Sequence, residues 1–266
     1  MQIKRLIPLF LLVAVLLSSC GGYQKLLKGS DNDLKYQTAL AFFEKKDYYR
    51  ALQLFDQLVP IYKGTERAEK MAYYYAYCYY YQEDYILSAY YFKRFAENYS
   101  NSQYAEECYF MNAYCNYQNS PVYHLDQTTT YEALKELQAF ANKYPASDRI
   151  PRCNELIDKL RGKLEQKAYN IALLYNRMED YQASIVSFQN LMKEFPDTRY
   201  KEEVMFLIVK SYYNYAQKSI VTKREERYQA AVSAFNDLKS WYPESEYLVE
   251  GEQLSRKAMN EIAKMN

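Results

Sequence analysis

The sequence predicts an all-α protein, a solenoid of about five helical hairpins with a C-terminal capping helix. Three observations carry that prediction. A fixed frame of residues recurs five times along the chain. Its internal offsets of 3, 4 and 7 place the framed side chains on one face of a helix. Only 6 glycines occur in 266 residues, too few for a turn-rich β protein. The frame runs from an aromatic residue or Thr to a small residue, then to an aromatic or Leu, then to Tyr or Phe. Its instances are Tyr48-Ala51-Phe55-Tyr62, Tyr85-Ser88-Phe92-Tyr99, Thr130-Ala133-Leu137-Tyr144, Tyr181-Ser184-Phe188-Phe195 and Tyr228-Ala231-Phe235-Tyr242. Recurrence at tens of residues is the signature of stacked supersecondary units that bury their apolar faces on one another.

The elements follow in order. Residues 1–19 read as a signal peptide: Lys4 and Arg5 precede the apolar run Leu6–Leu17, which is too short to span a bilayer. Leu17-Ser18-Ser19-Cys20 then resembles the bacterial lipoprotein box. That resemblance implies a covalent lipid on Cys20, with palmitate-type acyl chains and cleavage just before it, so that the chain is held at a membrane. Residues 20–33 read as a lipid-anchored tether, with Gly29 and Ser30 as breakers. The repeat domain then covers 34–266. Its hairpins occupy about 34–64, 66–101, 105–147, 152–198 and 201–245, and an amphipathic cap covers 247–264. Asp31 or Asp33 is placed to cap the first helix and Asp47 to start its partner. The third repeat is long, 45 positions from Tyr99 to Tyr144 against 37 from Tyr62 to Tyr99; the surplus falls in the loop Asn119–Thr129. The fourth first-helix, Arg152–Arg177, is unusually long. The fifth hairpin is expected to carry a polar basic loop, Ser219–Arg224, before a helix beginning at Glu225.

Composition excludes several classes. The formal net charge is +1, and about −1 once Lys4 and Arg5 leave with the leader; neither value favours a nucleic-acid partner. No Walker loop, G-x-S-x-G, H-E-x-x-H or dinucleotide fingerprint occurs. The single histidine, His124, has only Asp126 as a nearby acid, too few groups for a metal or catalytic site. No cofactor is expected beyond the lipid, and no enzymatic activity. Asp126 is placed to cap the following helix with help from Gln127 or Thr128. Cys78, Cys108, Cys115 and Cys153 are expected as buried thiols, since their helical positions lie too far apart to bridge.

The outlying residue is tyrosine, at 33 copies. Small residues in the first helices (Ala39, Ala76, Ala113, Ala172) and in the second-helix frame resemble the tetratricopeptide repeat, whose consensus is about 34 residues. On that frame Tyr36, Leu40, Phe43, Tyr73, Tyr77, Tyr80, Phe110, Tyr114 and Tyr117 point to the concave side of a right-handed superhelix. These rings either line a groove for an extended peptide or fill a tight superhelix.

A closer resemblance covers most of the mature chain. Its carriers are the lipobox, five hairpins, and the endings Tyr144-Pro145-Ala146-Ser147, Phe195-Pro196-Asp197-Thr198 and Tyr242-Pro243-Glu244-Ser245, with Asp126-Gln127-Thr128 and the long fourth first-helix. Together they are similar to the BamD family of outer-membrane assembly lipoproteins. That resemblance implies a periplasm-facing protein on the outer membrane of a Gram-negative bacterium. It implies a BamA-like barrel partner bound through its POTRA region, and unfolded outer-membrane β-barrel clients received by the N-terminal half. Many relatives carry an Arg near the partner contact where this chain has Ser187. A glycan-binding surface lipoprotein and a scaffold for a peptidoglycan enzyme remain the alternative readings.

Overall fold

A computed structural model describes residues 22–265; the signal peptide and Cys20 lie outside the described residues. Among them are twelve helical segments and no strand. After α1, helical over 22–28, come α2 (Asn32–Glu44), α3 (Tyr48–Tyr62), α4 (Glu66–Tyr81), α5 (Tyr85–Asn98), α6 (Ala105–Gln118), α7 (Thr128–Lys143), α8 (Ile150–Arg177), α9 (Tyr181–Glu194), α10 (Lys201–Gln217), α11 (Val221–Trp241) and α12 (Leu248–Ala263). The expected all-α hairpin repeat is what forms. Within the described residues the helices pack as two compact units. Of the described residues, unit 1 comprises 22–121 with Thr128–Ile157, and unit 2 comprises Val122–Gln127 with 158–265.

The frame is where each hairpin closes. Ala51, Ser88, Ala133, Ser184 and Ala231 are fully buried, as are Phe55, Phe92, Leu137 and Phe188 four residues on. Facing them, Ala39, Ala76, Ala113 and Ala172 are fully buried too, so the paired helices approach through small side chains. Where the small residue is Ser, its hydroxyl donates to the backbone of the facing Ala: Ser88 Oγ to Ala76 O and Ser184 Oγ to Ala172 O, both 3.2 Å. A buried hydroxyl is thereby satisfied.

Local chemistry sets the turns. Asp47, Asp84 and Asp180 accept from the backbone N–H three residues on, capping α3, α5 and α9. The residue before each (Lys46, Glu83, Glu179) has a φ of 61 or 62°, the left-handed conformation that ends the preceding helix. At the opposite hairpin end, the Ser/Thr of each ending accepts from the N–H two residues on: Ser102, Ser147, Thr198 and Ser245 from Tyr104, Arg149, Tyr200 and Tyr247. Three of them also donate to a glutamate of the preceding first helix, namely Glu69, Glu106 and Glu165. In these three hairpins the Ser/Thr of the ending therefore ties the turn back to the hairpin's own first helix.

Two expectations need correction, and a third is resolved between its two alternatives. Residues 22–28 of the tether are helical, and Leu26 and Leu27 pack on the core of Tyr36, Leu54 and Phe55. Asp31, not Asp33, caps α2, accepting from Leu34 N at 2.9 Å; Asp33 instead pairs with Arg67. The basic stretch after Ser219 is helical from Val221. Its cations fold back: Arg224 Nε donates to Ser219 O at 2.9 Å and the Arg227 guanidinium to Ser219 Oγ, with Arg227 3.6 Å from the Tyr215 ring centroid. In unit 2, α12 closes onto α10 and α11 through Leu254, Ala258 and Ile262, and buried Gly251 lies against Phe235.

Candidate functional site

The candidate site is the aromatic face that α4 and α6 present in unit 1. In α4, Tyr73, Tyr77 and Tyr80 recur at helical spacing, the rings of Tyr73 and Tyr77 lying 4.8 Å apart and those of Tyr77 and Tyr80 6.1 Å apart. Tyr80 approaches Tyr114 of α6 at 6.4 Å. Along α6, Phe110 stacks on Tyr114 at 6.1 Å and Tyr114 on Tyr117 at 6.0 Å. Such offset and edge contacts are each worth roughly 0.5–1.5 kcal/mol beyond burial.

The hydroxyl ends converge on one carboxylate. Tyr73 and Tyr77 both donate to Glu107 Oε1, the former at 3.0 Å. Arg149 approaches the other carboxylate oxygen at 3.8 Å, and its guanidinium sits 5.5 Å from the Phe110 ring centroid. Arg152 lies beside Tyr114. Burial first, then the Glu107 carboxylate, push the Tyr73 and Tyr77 phenols well above their ordinary range. Both stay protonated donors at any physiological pH. The face thus joins aromatic area to an acid and two guanidinium groups.

The expected groove residues divide. Tyr36, Tyr77 and Phe110 are buried. Tyr36 sits in the first hairpin's core. Tyr77 packs edge-on against Phe92 at 4.8 Å, and Phe110 against Phe140 at 5.4 Å. These three supply packing rather than open surface. Leu40, Phe43, Tyr73, Tyr80, Tyr114 and Tyr117 are half-buried. Phe43 is drawn into a cluster with Tyr48, Tyr74 and Tyr81. Glu107 escaped the sequence reading because it lies outside the repeated frame, 30 positions from Tyr77. The signal available was the pair of acids opening α6, Glu106 and Glu107, which recurs as Glu202 and Glu203 in α10.

Other singled-out residues take structural places. Cys78, Cys108, Cys115 and Cys153 are free and buried, as expected; burial raises all four thiols, Cys115 to about 12. His124 is exposed beside Tyr123, and among the described residues no group of three or more His, Cys, Asp or Glu is arranged to hold a metal ion. Gln127 is buried and pins its own loop, donating to Val122 O at 2.9 Å and Leu125 O at 3.1 Å. Lys167 of α8 donates to the same Leu125 O at 2.5 Å. Ser187 lies in unit 2, in a shallow depression with Tyr175, Asp180 and Val186. No helix among the described residues is long and apolar enough to cross a membrane.

No curated protein matches the sequence closely. Among solved structures the chain is similar to the tetratricopeptide domain of P58(IPK), at 13% identity and a TM-score of 0.41 over 90% of this chain and 68% of that one. It is similar to a tetratricopeptide protein of Bacteroides fragilis at 12% identity and 0.38, over 88% of this chain and 100% of the other. The TPR2AB domain of yeast Sti1, solved with a pHSP90 complex, gives 12% identity and 0.38 over 87% and 99%. The hairpin architecture stands on the helix order and packing described above. Residues 29–227 match the family described as YfiO, outer membrane lipoprotein, and the chain belongs to that family.

Proposed function

We propose that the protein is a non-enzymatic, lipid-anchored scaffold of outer-membrane β-barrel assembly. It is held by the lipid on Cys20 at the periplasmic face of the outer membrane, binds the POTRA region of a BamA-like barrel partner, and receives unfolded barrel clients along the aromatic face of unit 1. Membership of an outer-membrane lipoprotein family supports the location. The observation that carries the client role is the convergence of Tyr73 and Tyr77 on Glu107, beside the half-buried rings of Tyr80, Tyr114 and Tyr117.

The chemistry fits an extended barrel strand. Such strands alternate apolar and polar side chains and carry aromatic girdles. Their apolar side chains would lie on the rings, while Arg149 and Arg152 would donate to carboxylates and carbonyls of the strand. A rigid face ordered before the client arrives lowers the entropy cost of binding.

The test is affinity capture from native membranes in mild detergent, using a C-terminal tag and a Cys20→Ala control. Recovery of a POTRA-containing barrel by the lipidated chain is the expected result. Recovery of a glycan-uptake system or a peptidoglycan enzyme in its place overturns the reading.

A further inference from the structure

The residue after the first frame position is exposed in all five hairpins, and its chemistry differs between the units. In unit 1 it is Tyr49, Ile86 and Tyr131, exposed by 64%, 72% and 55%. In unit 2 it is Gln182 and Gln229, also exposed. Tyr49, Ile86, Tyr131 and Gln182 sit in the first turn of the second helix of their hairpins, at the turn end, whereas Gln229 lies two turns into α11. Within unit 1 the first two turn ends adjoin: Tyr48 stacks on Tyr81 with centroids 4.4 Å apart. Exposed Leu87 and the turn lysines Lys45 and Lys46 belong to the same end.

The first described residues lie at that end. The Tyr23 hydroxyl donates to Arg50 O at 3.0 Å, and its ring meets Phe42 edge-on at 5.5 Å. Phe42 lies in the last turn of α2 and Arg50 in the first turn of α3. Only Gly21 and Gly22 separate Tyr23 from Cys20, a reach of at most about 11 Å. Helix α3, at about 22 Å, puts the far end of the hairpin beyond that reach.

We propose that the turn end of unit 1, bearing Tyr49, Ile86 and Tyr131, rests on the bilayer into which the lipid on Cys20 inserts. The inference builds on the lipid-anchor reading above. Aromatic and aliphatic side chains partition to the headgroup boundary, and Lys45 and Lys46 favour an anionic surface. Of the acids at these turns, Asp47 and Asp84 are turned onto backbone N–H groups as caps, while Glu44 and Glu83 are exposed.

The test uses the full lipidated protein in phosphatidylethanolamine–phosphatidylglycerol vesicles. A cysteine is added by Ile86→Cys, or by Ile61→Cys at the far end of the first hairpin, and labelled with an environment-sensitive fluorophore; the native thiols are buried. Vesicle flotation reads the anchor, and quenching by spin-labelled lipid reads the edge. Insertion of about 5–10 Å into the headgroup boundary predicts quenching at 86 about threefold stronger than at 61. A reporter placed by Lys46→Cys should lose that quenching when Tyr49→Asp and Ile86→Asp are combined. Flotation with equal quenching at 86 and 61 overturns the proposal alone and leaves the surface to a protein partner. Loss of flotation in the parent protein overturns the anchor reading, and this proposal with it.

Discussion

Units 1 and 2 use one hairpin frame with different filling. In unit 1 the first helices carry tyrosine at consecutive positions of α4, and the polar ends of those rings are gathered by carboxylates: Glu107 takes Tyr73 and Tyr77, and Asp56 takes Tyr75 at 2.5 Å. In unit 2 the corresponding helix, α10, reads Val204-Met205-Phe206-Leu207-Ile208-Val209, and α12 seals it. An amphipathic ring leaves a wet edge on a face that remains open, whereas an aliphatic face must be covered. The lesson is that the frame fixes the hairpin, and the residues between frame positions decide whether a face is presented or closed.

The chain carries its own reporters for that comparison. The four buried thiols all lie in unit 1, and the single tryptophan, Trp241, lies in unit 2. Thiol labelling and indole fluorescence therefore assign a loss of stability to one unit or the other. The largest effect is expected from the shared frame. Phe92→Ala and Phe188→Ala, each removing a fully buried ring, should cost about 3–5 kcal/mol apiece in urea denaturation. A much smaller cost in one unit would mean that the frame does not bear equally on both.

Next comes the polar end of unit 1. Glu107→Ala strands the Tyr73 and Tyr77 hydroxyls and should cost about 1–3 kcal/mol, with Tyr77→Phe near 1 kcal/mol. Equal costs for the two variants would show that Glu107 does not organise the face. In unit 2, a Cβ added at Gly251 would meet Phe235 Cδ2 at 2.9 Å. Overpacking of about 1–3 kcal/mol then outweighs the roughly 1 kcal/mol of helix propensity gained, so Gly251→Ala should lower the Trp241-reported midpoint modestly. No change would mean α12 is free to shift.

The smallest effect is in alkaline solution. Burial raises Tyr23 from 10.0 to about 12, and raises Tyr73, Tyr75 and Tyr77 further. A folded-state pKa above the unfolded one contributes stability that is complete below pH 10 and lost as pH rises through the folded value. Unit 1 should therefore weaken progressively above pH 10, with the phenolate absorbance of these rings appearing late and together with thiol exposure. Early ionisation of every tyrosine would contradict their burial.

Much of this was legible in the sequence for physical reasons. Helical offsets force Ala51, Phe92 or Phe188 inward wherever the chain is helical, and an Asp before such a run has few roles besides capping. What escaped depended on tertiary partners. Tyr23 sits in a short polar stretch with no periodicity, and only the structure brings it to Arg50. Val221–Arg224 looks like a basic loop until Ser219 gathers Arg224 and Arg227 and lets α11 begin there. The division of the aromatic set into buried Tyr36, Tyr77 and Phe110 and half-buried Tyr80, Tyr114 and Tyr117 depends on how neighbouring hairpins press together, which spacing alone does not encode.

The most direct test of the client role is a calorimetric titration of the full chain with an unfolded peptide from an outer-membrane barrel strand, for the parent protein and for Tyr80→Ala combined with Tyr114→Ala. Two ring contacts at roughly 0.5–1.5 kcal/mol each predict about tenfold weaker binding in the variant, with its fold intact by circular dichroism. Undiminished binding by the variant would contradict the assignment of clients to the aromatic face.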